Sequence, residues 1–165
     1  MRKQVTPATF PFFSLAQSPG ISQLMFIIKP CAQLAPHHHP RADELLTLVQ
    51  GGPVHVGMVD EAAAGQQSIM LQMNELDLTM IPIGDVHFIE NRQCQDAIIV
   101  GSFSNADPGV ELTLSSLLTL PDPQLATALG LSQNATAQFR ASTKPTRFQP
   151  VQDDGSCMRA CNITQ

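Results

Sequence analysis

The chain has few charged residues and contains neither Trp nor Tyr. Charged residues make up 14% of its 165 residues, against roughly a quarter in ordinary globular proteins, and both Trp and Tyr are absent. Its Lys and Arg residues are scattered singly under a net charge of −5, so no basic stripe is available for a phosphate backbone or an anionic bilayer. The composition argues against a nucleic-acid partner, and it offers no Trp or Tyr platform for a carbohydrate or a hormone.

Long apolar segments are missing as well. The apolar run at residues 24–28 is far shorter than the roughly 20 residues of a membrane-spanning helix, so we expect no membrane partner. The basic residues 2–3 resemble the start of a signal peptide, but residues 4–7 include Gln, Thr and Pro where its apolar core should stand. No signal peptide is visible. If the protein is secreted, we expect this chain to be a mature fragment or the product of a truncated gene prediction.

Two further signals favour an extracellular location. The four Cys residues are an even number, which suits a disulfide framework formed in an oxidising compartment. Asn134 and Asn162 each begin an Asn-x-Thr acceptor pattern for N-glycosylation. We therefore predict a secreted glycoprotein with disulfide bonds.

Short apolar segments separated by Gly and Pro dominate the first two thirds of the chain. Such spacing is typical of an all-β sandwich or barrel. We predict short strands within 8–30, of which 21–28 is the most apolar, then strands within 44–59, and at 68–73, 76–81, 87–89 and 97–103. The Gly-Gly-Pro at 51–53 predicts a hairpin that divides the 44–59 segment into two strands.

After residue 109 the pattern becomes helical. We predict a helix within 110–118, a second from Asp122 as its N-cap to about Leu129 with Gly130 as its stop, and a third near 135–141. The polar tail at 142–165 is predicted to be irregular. The chain length suits one domain, with a β core at 1–109, packed helices at 110–141 and a Cys-containing tail at 142–165.

A cluster of His residues is the main candidate for a metal-binding site in the sequence. His37, His38 and His39 are three of only five His residues, and Pro40 and Glu44 follow them closely. In a strand, alternate side chains share a face, so His37 and His39 point the same way and form a chelate, while His38 points away. Glu44 lies beyond a turn that Pro40 favours, and it can return to the same pocket.

These residues form half of a recognisable pair of motifs. His37-x-His39 with Glu44 and Gly51 resembles the first cupin motif, and Pro82-x-Gly84-x-x-His87-x-x-x-Asn91 resembles the second. The form His-x-His-Pro-Arg-Ala-x-Glu is similar to the germin-like branch of the cupins. Cys31, Cys94, the Asp-Pro-Gly-Val at 107–110 and the Cys-x-x-x-Cys tail most resemble the fungal and slime-mould spherulin-type proteins.

The resemblance implies a mainly β fold, a jelly-roll-like double-stranded β-barrel with short C-terminal helices. It also implies that His37, His39, Glu44 and His87 bind one metal ion, typically manganese, with Asn91 as a candidate hydrogen bonder beside them. Three imidazoles and a carboxylate independently suit manganese, iron, nickel or copper rather than calcium, and no thiolate favours a closed zinc site. Around an octahedral ion, two positions remain for water, oxygen or a small acid.

The resemblance suggests two functions. One is a manganese-dependent oxidoreductase acting on superoxide, and the other is a non-catalytic metal-binding protein of a cell wall or spore coat. Oxalate oxidation is less expected, because germins with that activity carry Asn three residues before the first ligand, where this chain has Leu34. Germins form hexamers, so a homo-oligomer is also an expected assembly.

Three expectations concern the residues around the motifs. His38 and His55 are expected to be strand or surface residues, and the alternative for the whole set is a barrel that keeps its motifs without binding metal. Cys31 and Leu76 replace turn glycines of the family pattern, which suggests altered loops at the barrel mouth. With His37 and His87 opposite each other on antiparallel strands, Cys31 and Cys94 would come within one residue of register, so we expect a Cys31–Cys94 disulfide and a Cys157–Cys161 disulfide.

Overall fold

The computed structural model describes residues 20–60, 67–151, 153 and 155–163. Any strand within 8–19 lies outside these residues. The described strands are β1 (Ser22–Ile28), β2 (Ala32–His38), β3 (Glu44–Gln50), β4 (Val54–Asp60), β5 (Gln67–Met73), β6 (Leu78–Ile81), β7 (His87–Asn91), β8 (Ala97–Phe103), β9 (Glu111–Leu112) and β10 (Phe148–Pro150). The described helices are α1 (Thr113–Leu118), α2 (Asp122–Leu129), α3 (Gln133–Ser142) and α4 (Ser156–Ala160).

Two antiparallel sheets form a jelly-roll-like core, which confirms the predicted mainly β class. One sheet has the order β1-β8-β3-β6, and the other has the order β10-β2-β7-β4-β5, with β9 also paired to β2. Along β8 every second residue is buried, as expected for a strand with one face on the core. Leu46, Leu48, Val54, Val56, Ile89 and Ile99 are fully buried or nearly so and fill the space between the sheets.

The hairpin predicted at residues 51–53 is wrong. Strand β3 belongs to the four-stranded sheet and β4 to the other, so the chain crosses between sheets at this point. Gly51 and Gly52 have φ angles of +87° and +97°, which glycine adopts without strain. A Cβ on Gly51 would lie 2.3 Å from the Asp96 carbonyl oxygen, so the turn is pressed against the loop before β8. The Gly-Gly signal therefore marks a sheet crossing.

The two positions at which the family pattern has turn glycines both adopt positive φ angles. Cys31 and Leu76 adopt φ angles of +55° and +71°, the left-handed region that glycine would occupy. A non-glycine residue pays about 1–2 kcal/mol for that conformation. The expected alteration of the loops at the barrel mouth stays a prediction.

The helical region follows the prediction with small shifts. The first helix begins at Thr113, because Glu111 and Leu112 pair with β2. In α2 the N-cap residue is Pro121 instead of Asp122, whose carboxylate accepts a hydrogen bond from Arg140. Gly130 ends that helix with φ +64° as predicted. No helix in the described part of the chain is long and apolar enough to cross a membrane.

Both predicted disulfide pairings are wrong. The bonds join Cys31 to Cys157 and Cys94 to Cys161. In the register of β2 and β7, Ala32 pairs with Asn91, so the residue opposite Cys31 would be Arg92, and Cys94 lies beyond the strand end. The tail instead runs back along β2 as β10 and brings α4 to both cysteines of the barrel. Cys157 and Cys161 lie about one helical turn apart, so two disulfides attach the tail to the β core.

Candidate metal centre

Four side chains from three strands meet between the sheets. His37 lies in β2 opposite His87 at the start of β7, and Glu44 begins β3 opposite Phe103 of β8. His39 follows the last residue of β2. We refer to His37, His39, Glu44 and His87 as the ligand cluster. A register shift between Leu34 and His37 re-aims β2, which allows the first two imidazoles and His87 to face one point.

The ligand cluster has the dimensions of a metal site. One candidate ligand atom from each residue lies within 4.8 Å of every other. The Oε2 atom of Glu44 is 3.1 Å from Nε2 of His87 and 3.3 Å from Nε2 of His39. All four residues are at most 5% exposed. A chelate of three imidazoles and one carboxylate is therefore assembled inside the protein.

Hydrogen bonds fix which ring nitrogen faces the centre. The Nδ1 atoms of His37, His39 and His87 lie 2.8, 2.6 and 3.0 Å from the carbonyl oxygens of residues 35, 109 and 85, in that order. A carbonyl can only accept, so each Nδ1 carries the proton. In the neutral rings the Nε2 atoms then present lone pairs, which is the tautomer that a metal ion requires.

The inward-facing atoms lie close together but make no well-aligned hydrogen bond within the described residues. Nε2 of His39, Nε2 of His87 and Oε2 of Glu44 are buried without one. Buried polar atoms left unsatisfied cost about 1–3 kcal/mol each. Lone pairs that converge on one point are satisfied together by a cation, so these residues fit a divalent transition metal.

Electrostatics keep the cluster in its ligating protonation state. Burial, followed by the neighbouring His87, lowers the pKa of His37 to about 3, so this ring is neutral at physiological pH. Burial by itself raises the pKa of Glu44, but the nearby His39 and His87 outweigh burial and lower it to about 2. The cluster therefore offers neutral His37 together with an ionised carboxylate, as metal binding requires.

A small cavity of about 40 Å³ opens onto the ligand cluster. Its walls include Leu24, Phe26, Leu34, Phe103, Val110 and Phe148, and one cation, Arg147. We call this space the site cavity. One water needs about 10–15 Å³ by a comparable measure, so the site cavity has room for about three waters or one molecule of similar size.

The remaining candidate residues lie elsewhere. The Asn91 amide donates to the carbonyls of Ile28 and Gln95, so the contacts it makes support the turn after β7; a role toward the metal stays a prediction. Nε2 of His38 lies 3.7 Å from Glu111, and Nδ1 of His55 lies 3.9 Å from Glu90. Both rings are away from the ligand cluster, as expected.

Sequence reasoning missed several residues that shape the site. A Cβ on Gly101 would lie 2.3 Å from Oε1 of Glu44, so glycine leaves room for that carboxylate. The Phe103 ring packs edge-on against His39 with centroids 4.7 Å apart. Gly109 supplies the carbonyl that orients His39, and Arg147 reaches the site cavity from the tail. The Asp-Pro-Gly at 107–109 was the only sequence signal for any of these positions.

Comparison with known proteins places this geometry in context. Residues 3–137 match the family described as Cupin. Spherulin-1B of Physarum polycephalum is 33% identical over 145 residues, which cover 88% of this chain and 56% of that protein. Germin-like protein subfamily 3 member 2 of Arabidopsis thaliana is 32% identical over 149 residues, covering 89% of this chain and 60% of that protein. The chain thus spans little more than half the length of these relatives.

A solved structure of oxalate oxidase has a similar fold. It superposes with a TM-score of 0.69 at 25% sequence identity, and the match covers 74% of this chain and 62% of that one.

Proposed function

We propose a function for this chain, which belongs to the cupin family. It binds one divalent transition metal at the ligand cluster and catalyses a redox reaction there. Manganese is the proposed ion, with iron, nickel or copper as substitutes that the same donors accept. Superoxide is the proposed substrate.

The observation that carries the proposal is the common tautomer of the three imidazoles. Each ring donates from Nδ1 to a backbone carbonyl, and Nε2 of His39 and of His87 lie beside Oε2 of Glu44 without a well-aligned hydrogen bond in the described residues. Buried polar atoms are ordinarily paired, so an unpaired, convergent set of donors indicates a cation. A barrel that kept its motifs without binding metal would not require this arrangement.

The ion would supply the change of oxidation state, and the protein sets the conditions for it. Glu44 contributes negative charge, and the three Nδ1–H···O=C hydrogen bonds increase the electron density on the ligating nitrogens. The apolar walls of the site cavity limit access by bulk water. Four protein ligands leave two positions of an octahedral ion for water and substrate.

The size and lining of the site cavity favour a very small substrate. A volume of about 40 Å³ suits a two-atom or three-atom species better than a dicarboxylic acid. Leu34, which lines the cavity, cannot hydrogen-bond a carboxylate as an amide would. Oxalate, the substrate named for the similar oxidase structure, is therefore the second choice.

The position of the ligand cluster also supports a structural role for the ion. Glu44 belongs to the four-stranded sheet, and His37 and His87 belong to the other, so one ion would join both sheets. An ion held in this way stabilises the fold through its binding free energy, with or without turnover. A metal-binding structural or storage protein is therefore the second candidate.

The test is metal analysis combined with assays on matched variants. We expect one manganese per chain in the purified protein, superoxide dismutation above that of free manganese, and little oxalate consumption. Glu44→Gln removes the charged ligand and should lose both metal and activity. Glu75→Gln changes an exposed carboxylate outside the ligand cluster and should change neither. Stoichiometric metal without turnover of either substrate would establish the structural role, and absence of bound metal would overturn both functions.

An extracellular location is part of the same proposal. The two disulfides that involve all four cysteines are consistent with an oxidising compartment. Asn134 is exposed at the start of α3 and is available for glycosylation. Mass mapping of protein secreted by its native host, before and after glycosidase treatment, tests both features. Reduced cysteines throughout the native protein would contradict this location.

A further inference from the structure

We propose that Arg147 of the C-terminal tail selects small anions for the site cavity. The proposal rests on the function proposed above, since it concerns what approaches the open positions of the ion. It assigns to the tail a direct part in substrate choice.

The tail holds Arg147 beside the strand that carries the first ligands. Its carbonyl oxygen accepts a hydrogen bond of 2.8 Å from the Ala35 amide, two residues before His37. The following residue, Phe148, pairs with Leu34. From this position the Arg147 side chain lines the same cavity as His37, His39 and Glu44. Arg147 is exposed, and the pairing of β10 with β2 places it at the border of the site cavity.

Arg147 has no ion pair or side-chain hydrogen bond among the described residues. Four other cations are paired, namely Lys29 with Asp96, Arg41 with Asp107, Arg92 with Glu90 and Arg140 with Asp122, whereas Lys144 is unpaired there but does not line the cavity. A guanidinium group presents five N–H donors in a fork that matches two oxygens of an anion. Its binding capacity is therefore available to a ligand.

The charge of the site cavity favours an anion. Glu44 is the only acidic residue among those that line it. Its carboxylate neutralises one charge of a divalent ion, and Arg147 adds another positive charge, so the loaded cavity is positive although the whole chain carries −5. Charge focused in a cavity with apolar walls raises the local concentration of ligands of opposite sign.

Arg147 also supplies donors where Leu34 supplies none. Arg147 immediately precedes β10, whose first residue, Phe148, pairs with Leu34 of β2. The guanidinium group can therefore bind ligand oxygens on the side where the wall of β2 is apolar. Together with the small volume, this specifies a small anion, such as superoxide or a one-carbon carboxylate, as the preferred ligand.

The experiment is anion binding at the metal, followed without any turnover. Protein loaded with Co²⁺ is titrated with azide or formate, and the visible absorption of the ion reports the Kd. We expect Arg147→Gln to raise both Kd values about tenfold or more, since a charge-assisted hydrogen bond is lost. Arg147→Lys should recover part of the affinity. Lys144→Gln, an exposed cation of the same tail that does not line the cavity, should leave both Kd values unchanged.

The outcomes separate this proposal from the function on which it rests. Wild-type protein that binds neither Co²⁺ nor Mn²⁺ overturns the metal function, and the role of Arg147 with it. Full metal content with the same azide and formate Kd in Arg147→Gln as in wild type overturns only the role of Arg147. Disulfide mapping confirms that the tail of each variant is still attached, and the Arg147→Lys variant provides the comparison if Arg147→Gln does not fold.

Discussion

The site cavity has two walls whose residues come from very different distances along the chain. The first wall contains the ligand cluster, which two short motifs supply from β2, β3 and β7. The second contains Arg147 and Phe148, which reach the cavity from the C-terminal tail. The first wall consists of buried donors with fixed orientations, and the second is a short strand and an exposed cation held by disulfides.

The difference separates binding of the ion from choice of the ligand. The first wall lies in the sheets and depends on the barrel core, so its ligands are positioned whenever the barrel is folded. The second wall depends on two long-range covalent links, of sequence separation 126 and 67. Changes in the tail should therefore alter stability and ligand preference while leaving metal affinity nearly intact, and changes beside the ligand cluster should do the reverse.

The largest expected effect is the loss of both disulfides. Replacing all four cysteines by Ser should lower the free energy of unfolding by about 5 kcal/mol, because closed loops of this length restrict the unfolded chain strongly. Removing either bond alone should cost less than half of the total, since the other still holds α4 within one helical turn. Urea unfolding of the metal-free proteins measures this, and equal losses for one and for both bonds would contradict it.

The next largest effect is a loss of stability of the metal-free protein at acid pH, caused by the titration of two residues in the first wall. The pKa of His37 is about 3 when folded and 6.5 when exposed, so below pH 6.5 the unfolded chain binds the additional proton. Glu44, with a folded pKa of about 2, acts in the same direction below its ordinary value of 4.5. Stability should therefore fall by about 4 kcal/mol from pH 7 to pH 4, of which His37 accounts for about 3.

Urea unfolding across that pH range measures the slope, and His37→Asn should remove most of it. His55→Asn is the matched control, because this ring lies outside the ligand cluster and is partly exposed. A slope that persists unchanged in His37→Asn would refute the assignment.

A smaller effect is expected from Gly101→Ala. The added Cβ would meet Oε1 of Glu44 at 2.3 Å, so the carboxylate must move. We expect Mn²⁺ affinity to fall about 10-fold to 100-fold, as when the groups that support metal ligands are changed. Isothermal titration measures the affinity, with Ser102→Ala on the opposite face of β8 as the control. An unchanged Mn²⁺ affinity would show that the Glu44 carboxylate can move without weakening metal binding.

The smallest effect should follow Phe148→Leu in the second wall. Phe148 is partly buried against the core and also lines the site cavity. A smaller side chain should cost about 1 kcal/mol of stability and shift the Kd ratio of acetate to formate a few-fold toward acetate. Metal affinity should stay within twofold of wild type. A large loss of metal in this variant would show that the two walls are not independent.

The first wall was largely predictable from the sequence. Residues spaced as His37, His39 and Glu44 are close on the chain, and the second motif identified His87 as their partner, so the cluster could be predicted as a set. The class of fold was predictable for the same reason, since Gly and Pro divide the chain into short alternating strands. The bulge that aims His37 and the space that Gly101 leaves for Glu44 depend on strand register, which no local pattern specifies.

The second wall was not predictable, because it depends on which strand the tail joins. Four cysteines allow three pairings, and the correct one requires that β10 lie beside β2. The predicted Cys31–Cys94 and Cys157–Cys161 bonds would not have attached the tail to the β core. They therefore gave no reason to place Arg147 near the site. The hairpin predicted at the Gly-Gly-Pro was wrong for a similar reason. A turn signal does not specify whether the next strand belongs to the same sheet.

The pairing of the tail with β2 also covers one edge of a sheet. Without β9 and β10, β2 would be an edge strand with unpaired amide and carbonyl groups, the usual template for aggregation. Strand β10 covers residues 32–34, the Arg147 carbonyl accepts from Ala35, and β9 covers residues 37–38. The remaining residue, Pro36, has no N–H to offer, and β10 itself is only three residues long and ends in Pro150. A chain that loses its tail by proteolysis or reduction would thus expose the strand of the first ligand to intermolecular β-pairing.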